Sequence, residues 1–251
     1  MYIDRRFIYL IIALMLFSAV MSLLSEPGGL LGFVITIPGI LIAITFHEFA
    51  HAFAADRLGD DTPRRQGRLN LNPFTHLDLF GTIMLVFAGF GWGKPVEINP
   101  RNFNRNISLA KAEAIVAAAG PLMNFIIAIV FEIIFCLVIK FVPGIYMAEG
   151  IIYFSSEAIQ ITVAIIQSIV AINIGLGVFN LIPLPPLDGS KILGGFLPYN
   201  ARNWMESHSQ IFEIIFVALW IVGILSLIVS PLISIINSGV NSLFLNIFGL
   251  I

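Results

Sequence analysis

Long apolar runs separated by short polar breaks divide this chain into segments of membrane length. A helix that spans a bilayer needs about 20 mostly apolar residues. Six stretches approach that length: 7–24, 30–55, 111–141, 150–181, 211–229 and 232–248. The first follows "MYIDRR", which resembles the basic start of a signal peptide. Its apolar run is long for that role and "SEPGG" leads straight into the next span, so it reads as a retained helix. The last two read as a terminal hairpin around Ser230–Pro231. The stretch "GRLNLNPFTHLDLFGTIMLVFAGFGWGKPVEINPRNFNRN" is different, being rich in Gly, Pro and Asn. In it "RLNLN" and "PVEIN" alternate polar with apolar positions, as strands do. "FGTIMLVFAGFG" is apolar but too short to span, which predicts a re-entrant or interfacial segment facing protein or a wet cavity. The expected fold is an all-α polytopic membrane protein. It has about six transmembrane helices and a short β/re-entrant segment between the second and third.

Composition agrees with this pattern. The 251 residues are 58% hydrophobic and 11% charged, against about 25% charged in soluble domains. A formal net charge of -2 and the lack of a basic tail leave no signature of nucleic-acid binding. Cys136 is the single cysteine, lies in an apolar run and reads as a packing residue. Basic residues set the orientation. With the N-terminus inside, 12 of the 13 Lys and Arg fall on the cytoplasmic side, in 1–6, 56–111 and 182–210. Lys140 falls near the outer face. That arrangement predicts cytoplasmic N- and C-termini in a multi-pass protein of the cell membrane.

Against this apolar background "TFHEFAHAFAADR" at 45–57 stands out. His47 and His51 are four residues apart and share one helix face. Glu48 is turned around the helix beside them. H-E-x-x-H on a helix is the arrangement in which zinc takes two His ligands and Glu acts as general base. Ionisable side chains inside a membrane are costly and default to function. A catalytic zinc takes a third protein ligand and leaves a position open. Two further histidines are candidates of unequal weight. His208, in "WMESHSQ", reads as solvated, whereas His76 could cap a turn or line the site. Asp188, in "FNLIPLPPLDGSKIL", is the better third ligand, because its prolines unwind the helix end at the depth of His47. A plain Asp–Gly turn is the competing reading.

"HEFAH", "AGPLMN" at 119–124 and "NLIPLPPLDG" at 180–189, in this order, closely resemble the site-2 protease family of intramembrane zinc metalloproteases. "GRLNLNPFTHLDLFGT" and "GWGKPVEINPRNF" fit the same family, and the likeness runs over about residues 30–200. The resemblance implies one zinc ion per chain on His47, His51 and Asp188, with Glu48 as catalytic base. It places on Asn180 a role in binding the substrate carbonyl or stabilising the oxyanion. Asn124 falls on a helix beside the site, where an interhelical hydrogen bond is favoured over catalysis; Gly120 and Pro121 would allow close packing there. Leu79 stands where the family usually has proline. No PDZ domain or CBS module is present in the sequence, as in a minimal member of the family.

Three parts follow: 1–29, first helix and outer loop; 30–200, catalytic membrane core; 201–251, C-terminal hairpin. The expected function is hydrolysis of peptide bonds in or near transmembrane segments, with a transmembrane protein or signal peptide as substrate and the bilayer as surroundings. The alternative is an inactive protease-like scaffold or a zinc-binding or transport protein. A carrier has no need of Glu48 beside its ligands. Glu132, Glu157, Glu213, Asp78, Trp92, Trp204 and Trp220 receive no role from the sequence, and Gln160, Gln167 and Asn173 read as interhelical contacts.

Overall fold

A computed structural model of the chain describes residues 21, 25, 28–88, 93–148 and 151–250. All of the expected first span except Met21, and also Trp92, lie outside the described residues. In chain order, α1 (Gly29–Arg57) leads into two single turns, α2 (Thr62–Arg65) and α3 (Pro73–His76). A ten-residue helix, α4 (Leu79–Ala88), follows, then the long α5 (Leu109–Phe141). An antiparallel hairpin, β1 (Ile145–Ala148) with β2 (Ile151–Phe154), leads to α6 (Glu157–Asn180). The chain ends in α7 (Asp188–Gly194), α8 (Tyr199–Ser207), α9 (Ser209–Ile221) and α10 (Ile224–Ile247).

Helices α1, α5 and α6 pack against one another and form the frame. Lipid offers no hydrophobic drive between helices, so close approach of small residues does that work. At Gly177 of α6 an added Cβ would lie 3.1 Å from Phe125 and 3.3 Å from the Pro121 carbonyl of α5. Ala128, Val170, Ile174, Val178 and Val229 fill one part of the core, between α5, α6 and α10. Phe135, Cys136, Ile139, Val163 and Ile166 fill another, and Ile145, Ile152 and Phe154 of the hairpin cover it. Cys136 is thus buried and free. Pro38, Pro121 and Pro231 all sit inside helices, which membrane helices tolerate because neighbours re-satisfy the freed carbonyls.

Several expectations from the sequence are corrected. "RLNLN" and "PVEIN" form no strands, and the only pairing near them among the described residues is an isolated bridge, Leu77 with Gly93. Asn70 and Asn72 turn their side chains back on the backbone amides of Asn72 and Phe74, at 2.7 and 3.1 Å. Such local bonds offer the chain a turn in place of a ladder. The two strands lie instead between α5 and α6, where 150–181 was read as one continuous span. Ser156 caps α6 by accepting from the Ile159 amide, so the helix starts at Glu157. The final turn falls at Gly223, not at Ser230–Pro231. Gly223 has φ 81°, a left-handed conformation that glycine enters at little cost.

Four described helices, α1, α5, α6 and α10, are long and apolar enough to cross a membrane. α9 is not a fifth: its 13 residues reach about 20 Å at 1.5 Å per residue. This changes where the chain finishes. Leu225 packs with Leu187 and Phe216, while Phe244, Leu245 and Phe248 pack with Phe135 and Cys136. The Lys140 ammonium donates to the Phe248 carbonyl at 2.7 Å. The end of α10 therefore lies beside the end of α5, opposite the basic loop after α1. If that loop is cytoplasmic, the described C-terminal end is not. Among the described residues one terminal helix is long enough to cross, where the sequence read two.

The connection from α1 to α5 is held by two buried charges. Asp60 is fully buried. One carboxylate oxygen accepts from the Thr62 hydroxyl at 2.6 Å and the Asn102 amide at 2.9 Å; the other accepts from the Asn99 backbone N–H at 2.6 Å. Burial acts to raise its pKa, but these hydrogen bonds outweigh it and hold the carboxyl below the usual carboxylate range. Arg68 is also buried and donates to the carbonyls of Thr75, Lys94 and Pro95, tying α3 to the segment that precedes α5.

A carboxyl whose pKa is lower in the folded state stabilises above its unfolded pKa and loses that contribution as pH falls through the folded one. Asp60→Ala leaves the Asn99 amide without its acceptor and costs about 1–3 kcal/mol. Thermal unfolding in detergent, followed at neutral pH and below pH ~4, should show the variant less stable at neutral pH. The gap to wild type should narrow in acid.

Candidate metal centre

His47 and His51 stand on the face of α1 that packs against α5, and both are buried. Each ring is fixed through Nδ1. His51 Nδ1–H donates to the Val116 carbonyl at 2.7 Å, and His47 Nδ1–H donates to Asn124 Oδ1 at 2.7 Å. With the proton on Nδ1, each Nε2 presents a lone pair. The two rings meet edge to face, with centroids 4.6 Å apart, and their Nε2 atoms are 3.0 Å apart.

Asp188 reaches the same point from the far side. Residues 181–187 run as turns rather than helix, with the Leu184 amide on the Ile182 carbonyl and the Leu187 amide on the Leu184 carbonyl. The chain then enters α7 with Asp188 in its first turn. Gly189 allows this path, since a Cβ there would sit 2.3 Å from the Ile182 carbonyl oxygen. Asp188 Oδ2 lies 3.1 Å from His47 Nε2 and 3.2 Å from His51 Nε2, and it is buried without a hydrogen-bond partner.

Three lone pairs facing one another repel unless a cation lies among them. An ion bonded tetrahedrally at about 2.0–2.1 Å holds its ligand atoms roughly 3.3–3.4 Å apart. Edges of 3.0, 3.1 and 3.2 Å come within a few tenths of that triangle. The N,N,O donor set and the orphaned Oδ2 fit a zinc ion, and His47, His51 and Asp188 could hold it.

These residues open onto a cavity of about 880 Å³, which Glu48 and Asn180 also line. Glu48 is buried on the neighbouring face of α1, under Gly93, where a Cβ would lie 3.1 Å from its Oε1. Asn180, at the end of α6, donates one amide N–H to the Leu176 carbonyl at 3.1 Å. His76 does not join the ligands. It is fully buried, and its Nε2–H donates to the Asn70 carbonyl at 2.7 Å, so it holds the turn. Burial keeps its imidazole below its ordinary pKa, with Arg68 acting in the same direction. His208 stacks on Trp204 and is likewise apart from the cluster.

Sequence reasoning read Asn124 and Asn173 as interhelical contacts, which they are, but tied neither to the orientation of an imidazole. The Val116 carbonyl is a backbone atom and carries no residue signal. Asn173 did have one, since it lies seven residues before Asn180 on the same face of α6. Asn124 Nδ2 donates to Asn173 Oδ1 and to the Ala43 carbonyl, each at 3.0 Å.

A model of the family described as Peptidase family M50 matches residues 35–223, which spans every residue of this site. The chain belongs to peptidase family M50. Among curated M50-like relatives, "Putative zinc metalloprotease YwhC" of Bacillus subtilis is 37% identical over 209 residues, 83% of this chain and 90% of that protein. "Putative zinc metalloprotease Rip2" of Mycolicibacterium smegmatis is 29% identical over 164 residues, 62% of this chain and 55% of the relative. Rip2 of Mycobacterium tuberculosis is 28% identical over 165 residues, covering 64% and 56%. This chain thus spans most of YwhC but about half of the Rip2 proteins. No solved structure matches it. It is a zinc metalloprotease of the M50, or site-2 protease, family.

Gly120 of α5 lies directly against the two imidazoles. A Cβ there would sit 2.5 Å from His51 Nε2 and 2.6 Å from His47 Cε1, among the ligand atoms themselves. Gly120→Ala should lower zinc affinity by about 5- to 150-fold, since overpacking costs about 1–3 kcal/mol. Zinc titration against a chelator on purified protein measures it.

Proposed function

We propose that this M50 peptidase is an intramembrane zinc metalloendopeptidase that cuts peptide bonds within or near transmembrane segments. Its zinc, one per chain, is held by His47, His51 and Asp188, and Glu48 and Asn180 act on the substrate. The observation that carries this reading is the meeting of three unprotonated ligand atoms inside an apolar helical bundle, with Glu48 lining the same cavity.

When bound there, zinc supplies a Lewis acid that lowers the pKa of water and polarises a peptide carbonyl. Glu48 takes a proton from the attacking water as general base and hands it to the leaving amine. The second N–H of Asn180 is available to donate to the carbonyl oxygen as charge develops on it. Val96 and Ile98 line the cavity in a segment without regular pairing, a bed for a substrate strand whose own helix has unwound. A Val96→Pro variant should then cut more slowly.

The substrate is a membrane-spanning protein or a leftover signal peptide in the same bilayer. The end of α1, the start of α5 and the run from α7 to α8 carry Arg57, Lys111, Lys191 and Arg202, whereas Lys140 is at the other end of α5. The positive-inside rule puts the first group, and with it the metal site, on the cytoplasmic side.

Glu48→Gln keeps the size and polarity of the side chain but removes the base. In the full chain it should retain zinc while cleavage of a membrane substrate falls by roughly 10²- to 10⁴-fold. Comparing membrane proteomes of cells carrying either form would display the accumulating substrate. Unchanged proteolysis by Glu48→Gln would rule out this role for Glu48.

A further inference from the structure

Every donor and acceptor between His47 and α6 is used in one sense only. Asn173 Nδ2 donates to the Ile169 carbonyl of its own helix at 2.8 Å, so its Oδ1 faces away and can only accept. Asn124 Nδ2 supplies that Oδ1 at 3.0 Å and the Ala43 carbonyl at 3.0 Å, which occupies both of its N–H groups. Asn124 Oδ1 is left to face His47, where it accepts from Nδ1–H at 2.7 Å. Asn124 and Asn173 are both fully buried, and the bonds join α1, α5 and α6.

We infer that Asn124 and Asn173 are positioning residues: an amide relay running from the Ile169 carbonyl fixes which nitrogen of His47 carries the proton, and so turns its Nε2 lone pair to the metal. The inference rests on the zinc reading above and adds residues that reading does not use. The two histidines are held differently. His51 donates to the Val116 carbonyl, an acceptor that cannot reverse. His47 depends on an amide, whose two ends exchange on rotation by half a turn. Were Asn124 reversed, an N–H would face His47 Nδ1, the ring proton would move to Nε2, and the ligand atom would be blocked. Asn173 Oδ1 and the Ala43 carbonyl together prevent reversal, because neither offers a proton for Asn124 Oδ1 to accept.

The relay separates acceptor chemistry from packing. Asn124→Leu keeps the volume and removes the acceptor, whereas Asn124→Asp keeps an acceptor for His47 Nδ1–H. Asn173→Leu leaves His47 untouched and removes one of the two acceptors that hold the Asn124 amide, the Ala43 carbonyl being the other. Zinc affinity of the full chain in detergent, read by chelator competition, should fall about 10- to 100-fold in Asn124→Leu, the range for groups that orient metal-bound histidines. Asn173→Leu should fall in the same direction but by less, because the Ala43 carbonyl still holds the Asn124 amide. Asn124→Asp keeps the acceptor for His47 but sets its other oxygen against the Ala43 carbonyl and Asn173 Oδ1, so it should lose less affinity than Asn124→Leu. The visible spectrum of the cobalt-loaded protein should shift more in Asn124→Leu than in Asn124→Asp. Thermal unfolding without metal reports packing separately. Wild-type zinc affinity and an unchanged cobalt spectrum in Asn124→Leu would overturn the relay. So would equal loss of affinity in Asn124→Leu and Asn124→Asp, which would mark the asparagine as a packing residue. A wild-type chain that binds no zinc would instead remove the metal reading, and the relay with it.

Discussion

Two imidazole nitrogens and a carboxylate oxygen, none more than 3.2 Å from the next, set the terms for the rest of this protein. In an apolar bundle such a cluster is tolerable only around a cation, and only if each ring offers its lone pair and not its proton. Both requirements reach outward. The Nδ1 protons must be taken up elsewhere, and Val116 and Asn124 of α5 take them. That brings α5 against α1 closely enough for Gly120 to lie on the two rings. One helix therefore carries the two imidazoles and another takes up their Nδ1 protons, so the cluster forms only where the two approach closely.

The remaining elements answer to the same constraint. α6 packs on both helices, contributes Asn173 to the polar chain behind His47, and ends where the backbone must turn to deliver Asp188. The connection from α1 to α5 carries no sheet to hold its shape, so buried charges do so. Asp60 gathers the amides of Thr62, Asn99 and Asn102, and Arg68 gathers three carbonyls. This brings Gly93 down over Glu48 and leaves Val96 and Ile98 on the wall of the cavity. The polar connection is thus fixed from within, beside the apolar helices of the frame.

Much of this was legible because it depends on neighbours in sequence. The four-residue spacing of His47 and His51 puts them on one face of any α-helix, with Glu48 beside them, whatever surrounds it. Apolar runs gave α1, α5 and α6 to within a few residues, except where Ser156 capped α6 late. The strands did not follow from alternation at "RLNLN" and "PVEIN", since asparagine side chains and Arg68 satisfied that backbone locally. The terminal hairpin was misplaced for a related reason. Proline marks a break in water, but in a membrane helix it is tolerated, and glycine's left-handed conformation made the turn.

The sequence by itself determined the membrane class and singled out His47, His51 and Glu48 and, through the motif around Asp188, a candidate third donor. These rest on local periodicity and on the cost of charge in lipid. Only the tertiary structure decided that Asp188 meets the histidines, that His76 does not, and which atoms orient each ring. It also decided that α10 alone returns across the bundle, carrying Phe248 to Lys140. Each of these is a contact between residues dozens of positions apart, set by how closely three helices pack, and a carbonyl such as that of Val116 leaves no trace in the amino-acid code.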